Sequence, residues 1–204
     1  MTVHGDLLVV IDPQRAFVDP AGSLALAYGL DEVRPSIEAL ERLQAYLRAL
    51  AADPASVSQT VFVRSEYRPG QFTGGRLHHV LADLCVPGRN VDCEWAAGLD
   101  PNYAGTIITK TEADAGSADA YRDLIARAVR DGVGQIVLAG FQLTTCVLAS
   151  ALTTVRLVAG SRTRVVVAES FAGARASSHV RTPTGSRVEL ARRQMRAAGV
   201  LVTD

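Results

Sequence analysis

The chain has 204 residues, 48% of them hydrophobic, and its 21 basic and 21 acidic side chains give a formal net charge of zero. This length supports one hydrophobic core and the apolar fraction excludes a disordered chain, so we expect a single domain over residues 1–204. The balanced charge argues against nucleic acid or a membrane surface as a partner, and apolar runs such as Leu7–Ile11 are too short to cross a bilayer. Three cysteines and an N-terminus without a basic segment predict a cytoplasmic protein.

Short apolar runs alternate with longer segments whose apolar residues have helical spacing. This alternation predicts an α/β, three-layer Rossmann-like fold with a six-stranded, mostly parallel sheet flanked by helices. The predicted strands are Leu7–Ile11, Thr60–Val63, Thr106–Thr109, Gln135–Ala139, Arg164–Ala168 and Val200–Thr203, and the predicted helices are Asp31–Ala51, Ser117–Arg130, Thr144–Leu157 and Val188–Ala198. Two irregular stretches, residues 68–103 and 172–186, interrupt the alternation, and each is interpreted as either a lid or a subunit contact.

The chain contains one lysine, Lys110, beside 20 arginines. Arginine fails where a compact ammonium is needed, because its guanidinium is a broad planar fork. Lys110 directly follows the third predicted strand, and ligands of open α/β sheets bind at the carboxyl ends of the strands. A required ammonium and a chance lysine explain this residue equally well until its neighbours are considered.

Two reactive side chains stand at corresponding positions. Asp12 directly follows the first predicted strand, and Cys146 lies near the start of the helix after the fourth, where free N–H groups favour a thiolate. Either residue alone has a structural explanation, as a helix cap or an inert core thiol. Together with Lys110 they predict a Cys146 nucleophile, Asp12 as proton acceptor and later general acid, and Lys110 as the cation that holds both in charged form.

Three sequence patterns accompany these residues at the strand ends. A strand ends in Asp-x-Gln-x-x-Phe, a lysine follows a later strand, and a Cys-Val pair comes six residues after a glycine. In this sequence they are Asp12, Gln14 and Phe17, then Lys110 with Ser117 and Ala118, then Gly140, Cys146 and Val147. In this order and spacing the chain resembles the isochorismatase-like cysteine hydrolases, a superfamily that includes nicotinamidases and N-carbamoylsarcosine amidases.

The resemblance implies further features of the site. It implies a catalytic triad of Asp12, Lys110 and Cys146, and a cis peptide bond between Phe141 and Gln142. It implies an oxyanion hole built from the backbone N–H groups of Gln142 and Cys146. It also implies that identical chains assemble as a dimer or a tetramer.

Family members that hold a metal carry Asp-x-His after the second strand, and here Ser65 and Tyr67 stand at those positions. We therefore expect neither a metal nor another cofactor. An unusual metal site with Glu66, His78 and His79 is the minor alternative, because adjacent histidines point in different directions on a strand or helix.

Six residues are predicted to contact the substrate: Gln14, Phe17, Arg64, Trp95, Phe141 and Gln142. Trp95 would wall a small cavity or pack against another subunit. Arg64 would clamp a carboxylate or pair with Glu66 or Asp92. Gln142 is larger than the residue usual at the family's cis position, so its side chain would hydrogen-bond a substrate or cover the site.

These features predict a metal-independent hydrolase that cleaves a C–N bond of a small amide, carbamoyl or lactam-like substrate through a thioester on Cys146. One alternative keeps the fold but hydrolyses a vinyl ether or enol with Asp12 as acid, a reaction that does not need Cys146. The other is a non-catalytic member that binds a small molecule. The departures from the family pattern favour it and the intact triad opposes it; these departures are at Ser65, Tyr67, Leu143 and Gln142. The expected partners are a small-molecule substrate and further copies of the chain.

Overall fold

A computed structural model of the chain describes residues 6–53, 59–72 and 78–203, and for residues 78 and 79 it describes the backbone without the side chains. In this part of the chain six parallel strands form one sheet in the order β3-β2-β1-β4-β5-β6. This arrangement confirms the predicted α/β fold. The strands are β1 (Leu7–Ile11), β2 (Gln59–Ser65), β3 (Thr106–Lys110), β4 (Gln135–Phe141), β5 (Arg164–Gly173) and β6 (Leu201–Thr203).

Helices cover the two faces of the sheet. They are α1 (Arg15–Val18), α2 (Ser23–Tyr28), α3 (Leu30–Ala52), α4 (His78–Leu81), α5 (Asp119–Arg130), α6 (Leu148–Leu157) and α7 (Arg187–Ala197). Side chains alternate across a strand, so β1 contributes to two separate cores. Leu7, Val9 and Ile11 pack with residues of α5, α6 and α7, whereas Leu8 and Val10 pack with residues of α1, α2 and α3. Within the described residues, no helix has the length and apolar character needed to cross a membrane.

Several strands extend further than their apolar runs predict. β2 continues to Ser65 and β3 to Lys110, and these two residues are register partners in the sheet. β5 continues to Gly173, so residues 172–186 begin inside a strand and then form a short 3₁₀ turn at Ala176–His179. Most residues of these extensions are polar or small, which an apolar pattern does not reveal.

Gly140 permits a close approach between β4 and the end of β1. Its φ of +106° lies in the region that favours glycine, and a Cβ atom there would stand 2.0 Å from the carbonyl oxygen of Ile11. The chain beyond Gly140 then turns into a π-helical turn at Leu143–Val147, which leads directly into α6. This close contact brings Cys146, in the π-helical turn, to the same edge of the sheet as Asp12.

Candidate active site

The strand order places three reactive side chains along one edge of the sheet. Asp12 directly follows β1 with a φ of +51°, and its N–H donates to the carbonyl oxygen of Val63 on β2 (2.7 Å). Lys110, at the end of β3, lies two strands away, and its Nζ reaches Asp12 Oδ2 at 2.9 Å. Both side chains are completely buried. A buried ion pair requires further hydrogen bonds, because each charge has lost its water.

Two hydroxyl groups supply those hydrogen bonds. Ser65 Oγ donates to Asp12 Oδ1 (2.8 Å) and accepts from Lys110 Nζ (2.7 Å). Tyr67 OH lies 2.8 Å from Ser65 Oγ and 3.2 Å from Lys110 Nζ, and Nζ also donates to the Glu112 carbonyl oxygen (3.0 Å). Ser65 has a single proton, and the charged carboxylate is its strongest acceptor. Because the Ser65 proton goes to Asp12, the Tyr67 hydroxyl keeps its own proton available for donation.

Cys146 completes this group of side chains. Its Sγ lies 4.0 Å from Tyr67 OH, within contact distance for a weak sulfur hydrogen bond. The Asp12 carboxylate lies close enough to this thiol for its charge to raise the thiol pKa. The thiol is 5% exposed. The Asp12 carboxylate and the Tyr67 hydroxyl thus both influence the ionisation of the Cys146 thiol.

Burial and the charges of neighbouring groups together shift the pKa values of the three groups. Burial raises the pKa of Asp12, although Lys110 and Ser65 act in the opposite direction. Burial and then the Asp12 charge raise the pKa of Cys146 to about 11, against the opposing influence of Lys110. Burial alone would lower the pKa of Lys110, but the charges of Asp12 and Cys146 raise it on balance. At neutral pH Lys110 is therefore an ammonium and Cys146 a thiol.

Burial and the Asp12 charge therefore oppose the predicted thiolate in the resting site. The Lys110 ammonium is already paired with Asp12, so Cys146 meets a nearly neutral ion pair rather than an isolated cation. Loss of hydration at the buried sulfur is the largest influence on the pKa of this thiol. Ionisation of the thiol requires transfer of its proton to a base.

The backbone around Gln142 has the form that the resemblance implies. The Phe141–Gln142 peptide bond is cis. The Gln142 carbonyl oxygen accepts hydrogen bonds from the N–H groups of Thr145 and Val147 (3.1 Å each) but not from that of Cys146. The Gln142 N–H donates to no other residue in the described part of the chain. The N–H groups of Gln142 and Cys146, which the resemblance implies for the oxyanion hole, thus take no part in these two hydrogen bonds.

A cavity of about 240 Å³ adjoins the Cys146 thiol. Its walls are mainly aromatic and aliphatic, and two arginines contribute positive charge. The Arg175 guanidinium stacks over the Tyr28 ring at 3.9 Å, and the Arg187 side chain is exposed. Besides Cys146 and these three residues, the lining consists of Phe17, Leu24, Tyr67, Phe72, Leu81, Leu84, Ala113, Gln142, Thr144 and Thr145.

Of the predicted substrate contacts, Phe17 and Gln142 belong to this lining. Gln14 does not, because its side-chain amide accepts from the Ser65 N–H (2.6 Å) and donates to the Ser65 carbonyl oxygen (3.0 Å). Phe141 is completely buried in the core on the α3 side of the sheet. Gln14 thus joins the end of β1 to β2 and Phe141 fills the core, and a contact of either residue with a substrate stays a prediction.

Arg64 and Trp95 also lie outside the lining. The Arg64 guanidinium pairs with Glu66 at 2.5 Å and donates to Thr109 Oγ1 (3.1 Å). The pairing with Glu66 is one of the alternatives expected from the sequence. The Trp95 ring packs against Phe62 with 5.7 Å between ring centroids. Both side chains contact partners within the chain, and the roles of Arg64 as a carboxylate clamp and of Trp95 as a cavity wall stay predictions.

In the sequence Ser65 and Tyr67 stand out only because they replace the metal ligands of other family members. Both lie where β2 ends, at the edge that carries Lys110, and that position is the signal that could have included them in the site. Most of the remaining lining comes from segments without a recognisable motif: Leu24, Tyr28, Phe72, Leu81, Leu84, Arg175 and Arg187.

The residues at the family's metal position do not fit a metal ion. Ser65 Oγ and Tyr67 OH are neutral oxygens, and both lie within hydrogen-bond distance of the Lys110 ammonium. A second cation would have to displace that ammonium. Among the described residues, no cluster of three His, Cys, Asp or Glu side chains could hold a metal, and the side chains of His78 and His79 lie outside the described residues.

The comparisons with known proteins agree with this architecture. The model of the isochorismatase domain matches residues 6–203. The chain therefore belongs to the isochorismatase family of hydrolases. No curated protein sequence matches it at a significant level.

Solved structures share the fold over nearly the whole chain. An isochorismatase family protein from Desulfovibrio vulgaris is 24% identical, with a TM-score of 0.68, covering 98% of this chain and 93% of that one. N-carbamoylsarcosine amidase from Thermoplasma acidophilum is 19% identical, with a TM-score of 0.68 and coverage of 97% and 95%. PnC1 from L. infantum, in complex with nicotinate, is 18% identical, with a TM-score of 0.69 and coverage of 100% and 96%.

Proposed function

We propose that this protein hydrolyses a C–N bond of a small amide, carbamoyl or lactam-like compound through a thioester on Cys146, without a metal. The observation that carries the proposal is the buried Lys110–Asp12 ion pair (2.9 Å) beside a thiol that adjoins a small, mostly apolar cavity. Similarity in fold to an N-carbamoylsarcosine amidase and to a protein in complex with nicotinate supports a small substrate of this kind.

In the first half of the reaction Asp12 takes the Cys146 proton as Sγ attacks the carbonyl carbon. The S–C bond forms, and the electron pair of the C=O bond moves to the oxygen, which the N–H groups of Gln142 and Cys146 stabilise. Asp12 then gives its proton to the leaving nitrogen. The C–N bond breaks, the amine departs and a thioester remains.

In the second half water takes the place of the amine. Asp12 removes a proton from the water as its oxygen attacks the thioester carbon, and a second tetrahedral oxyanion forms. The C–S bond then breaks and the proton on Asp12 returns to Cys146, so that the product acid leaves and the site is restored. Throughout, Lys110 remains charged, keeps Asp12 oriented and favours its ionised form, while burial keeps the carboxylate basic enough to accept a proton.

The acid route on a vinyl ether or enol is the second candidate, because burial raises the pKa of Asp12 and so favours a carboxyl group that can donate a proton. That route protonates the substrate carbon from Asp12 and leaves Cys146 without a covalent role. The two candidates therefore differ in their dependence on the thiol.

The experiment is ammonia release from a panel of small primary amides and carbamoyl compounds by the wild type, Cys146→Ala and Asp12→Asn. Cys93→Ala is the matched control, because this partly buried thiol lies outside the cavity lining. We expect Cys146→Ala and Asp12→Asn to lose activity by at least about 10³-fold and Cys93→Ala to retain it.

Hydroxylamine added during turnover should convert the thioester into a hydroxamate. Hydrolysis by Cys146→Ala at the wild-type rate would contradict the thioester route and favour acid catalysis by Asp12. Binding of the panel compounds without turnover by the wild type would instead favour the non-catalytic alternative.

A further inference from the structure

Gln142 carries a buried oxygen atom that has no hydrogen-bond partner among the described residues. Its side chain is 6% exposed and lines the cavity together with Cys146. The unpaired atom is Oε1, the acceptor half of the side-chain amide. A buried carbonyl oxygen without a donor is unfavourable, and nearly all such atoms in proteins are satisfied by protein, water or ligand.

The orientation of this amide is set by its other half. Gln142 Nε2 donates to Ser36 Oγ (3.2 Å) and lies 3.5 Å from the carbonyl oxygen of Phe17. Rotating the amide by half a turn would place Oε1 against the Phe17 carbonyl, and neither of those oxygens has a proton to share. Ser36 is completely buried on α3, so the anchor itself is fixed. The chain therefore holds Oε1 as an oriented acceptor.

Two hydrogen-bonding groups of Gln142 lack a described partner, and one is a donor while the other is an acceptor. Its backbone N–H is a donor without a described partner, and its side-chain Oε1 is an acceptor without one. One residue of the cavity lining thus carries both a donor and an acceptor without a described partner. An amide or ureide group carries the complementary pair, a carbonyl oxygen that accepts and an N–H that donates. An ester carries the carbonyl oxygen but no donor.

We propose that Gln142 Oε1 accepts a hydrogen bond from an N–H group of the substrate, and that the site thereby selects amides and ureides with a free N–H over esters and over fully substituted amides. This proposal rests on the proposed function, because it takes Cys146 as the nucleophile toward the bound carbonyl group. It adds a specificity residue and narrows the class of substrate. Removal of the acceptor removes the preference and leaves the nucleophile in place.

A pair of alkylating reagents tests the preference without a known substrate. Iodoacetamide and methyl iodoacetate have the same reacting carbon, at which Sγ forms the S–C bond and iodide leaves, but only iodoacetamide has N–H donors. The rate constants for Cys146 are measured by peptide mass spectrometry, which separates this thiol from Cys85 and Cys93. The ratio of the amide rate to the ester rate is then divided by the same ratio for N-acetylcysteine.

In the wild type we expect this normalised ratio to exceed one by about tenfold, as for one hydrogen bond to a buried acceptor. In Gln142→Met the ratio should fall to about one. Gln44→Met is the control, because it removes another buried amide, which donates to the Ala97 carbonyl oxygen (2.7 Å) outside the cavity lining. It should keep the wild-type ratio.

A wild-type ratio of about one would overturn the proposal even if Gln142→Met did not fold, and would leave Cys146 as the nucleophile. A high ratio that persists in folded Gln142→Met would also overturn it. If neither reagent modified Cys146 while both modified Cys93, the proposed function itself would fail, and this inference with it.

Discussion

At the scale of single residues, the unusual feature is a lysine in a chain that otherwise uses arginine. The Lys110 ammonium lies within 3.2 Å of Asp12 Oδ2, Ser65 Oγ, Tyr67 OH and the Glu112 carbonyl oxygen. These oxygens surround a compact cation that carries three protons. A guanidinium is planar and larger, and it cannot direct its donors to the same positions.

Lys110→Arg should therefore inactivate the site even though it keeps the charge. We expect amide hydrolysis to fall by at least about 10²-fold and the free energy of unfolding to drop by about 1–3 kcal/mol, as for overpacking of a buried position. Steady-state kinetics and urea denaturation measure the two effects. Arg127→Lys on α5, outside the cavity lining, is the reciprocal control and should change neither. Activity of Lys110→Arg close to that of the wild type would show that charge alone is required.

Tyr67 is the donor that faces the nucleophile. Its hydroxyl lies 4.0 Å from Cys146 Sγ and lowers the pKa of that thiol, partly offsetting the effect of burial. Tyr67→Phe removes this donor but keeps the ring that packs on Phe72. Because the thiolate loses a hydrogen bond, the pKa of Cys146 should rise above its value of about 11, by up to about one unit.

The measurement is the alkylation rate of Cys146 as a function of pH in the wild type and Tyr67→Phe. At neutral pH we expect the variant to react more slowly, by up to about tenfold. Tyr121→Phe is the control, since its hydroxyl is also buried but bonds Thr154 (2.7 Å). An equal or faster rate in Tyr67→Phe would mean that the tyrosine does not stabilise the thiolate.

At the scale of elements, the contact between β1 and β4 determines where the reactive turn begins. Gly140→Ala would place a Cβ atom 2.0 Å from the Ile11 carbonyl oxygen and 2.7 Å from its nitrogen, so the two central strands would have to separate. We expect this variant to accumulate as insoluble or unfolded protein. Gly132→Ala shares the positive φ (+73°) but has nothing within 4 Å of its Cβ position, so it should lose only about 1–2 kcal/mol. Soluble yield and thermal unfolding compare the two, and a folded Gly140→Ala would contradict the account.

The strands and the three reactive residues were predictable because both depend on local sequence. Buried parallel strands are apolar and β-branched, and polar residues at their carboxyl ends meet at one edge. The strand pattern did not decide between a substrate carboxylate and an acidic side chain as the partner of Arg64. In the folded chain Arg64 bonds Glu66 and Thr109. The unpaired oxygen of Gln142 depends on Ser36, which lies 106 positions away in the chain. Such pairings are set by tertiary packing, which strand and helix patterns do not encode.

At the scale of the whole molecule, composition makes the alkaline titration simple to interpret. Arginine stays charged throughout, so beside Lys110 the groups that titrate above neutral pH are mainly the cysteines and tyrosines. Burial raises the pKa of Cys85 above its ordinary value of 9.0, and it raises the pKa of Cys146 to about 11. Both thiols keep their protons in the folded chain at pH values where the unfolded chain loses them.

The free energy of unfolding should therefore fall as the pH rises above 9.0, the ordinary pKa of a thiol. Below that value both states hold the thiol protons and the stability is unaffected by them. Above it the unfolded state binds fewer protons, so each such buried thiol lowers the stability by about 1.4 kcal/mol per pH unit.

Cys85→Ala should lower the stability at every pH through the cavity it leaves, but the alkaline slope should become shallower by about that amount. Urea denaturation between neutral pH and pH about 11 measures the slope. Ser117→Ala, which removes no thiol, should keep the wild-type slope. Parallel curves for the wild type and Cys85→Ala would mean that the Cys85 thiol ionises as readily in the folded chain as in the unfolded one.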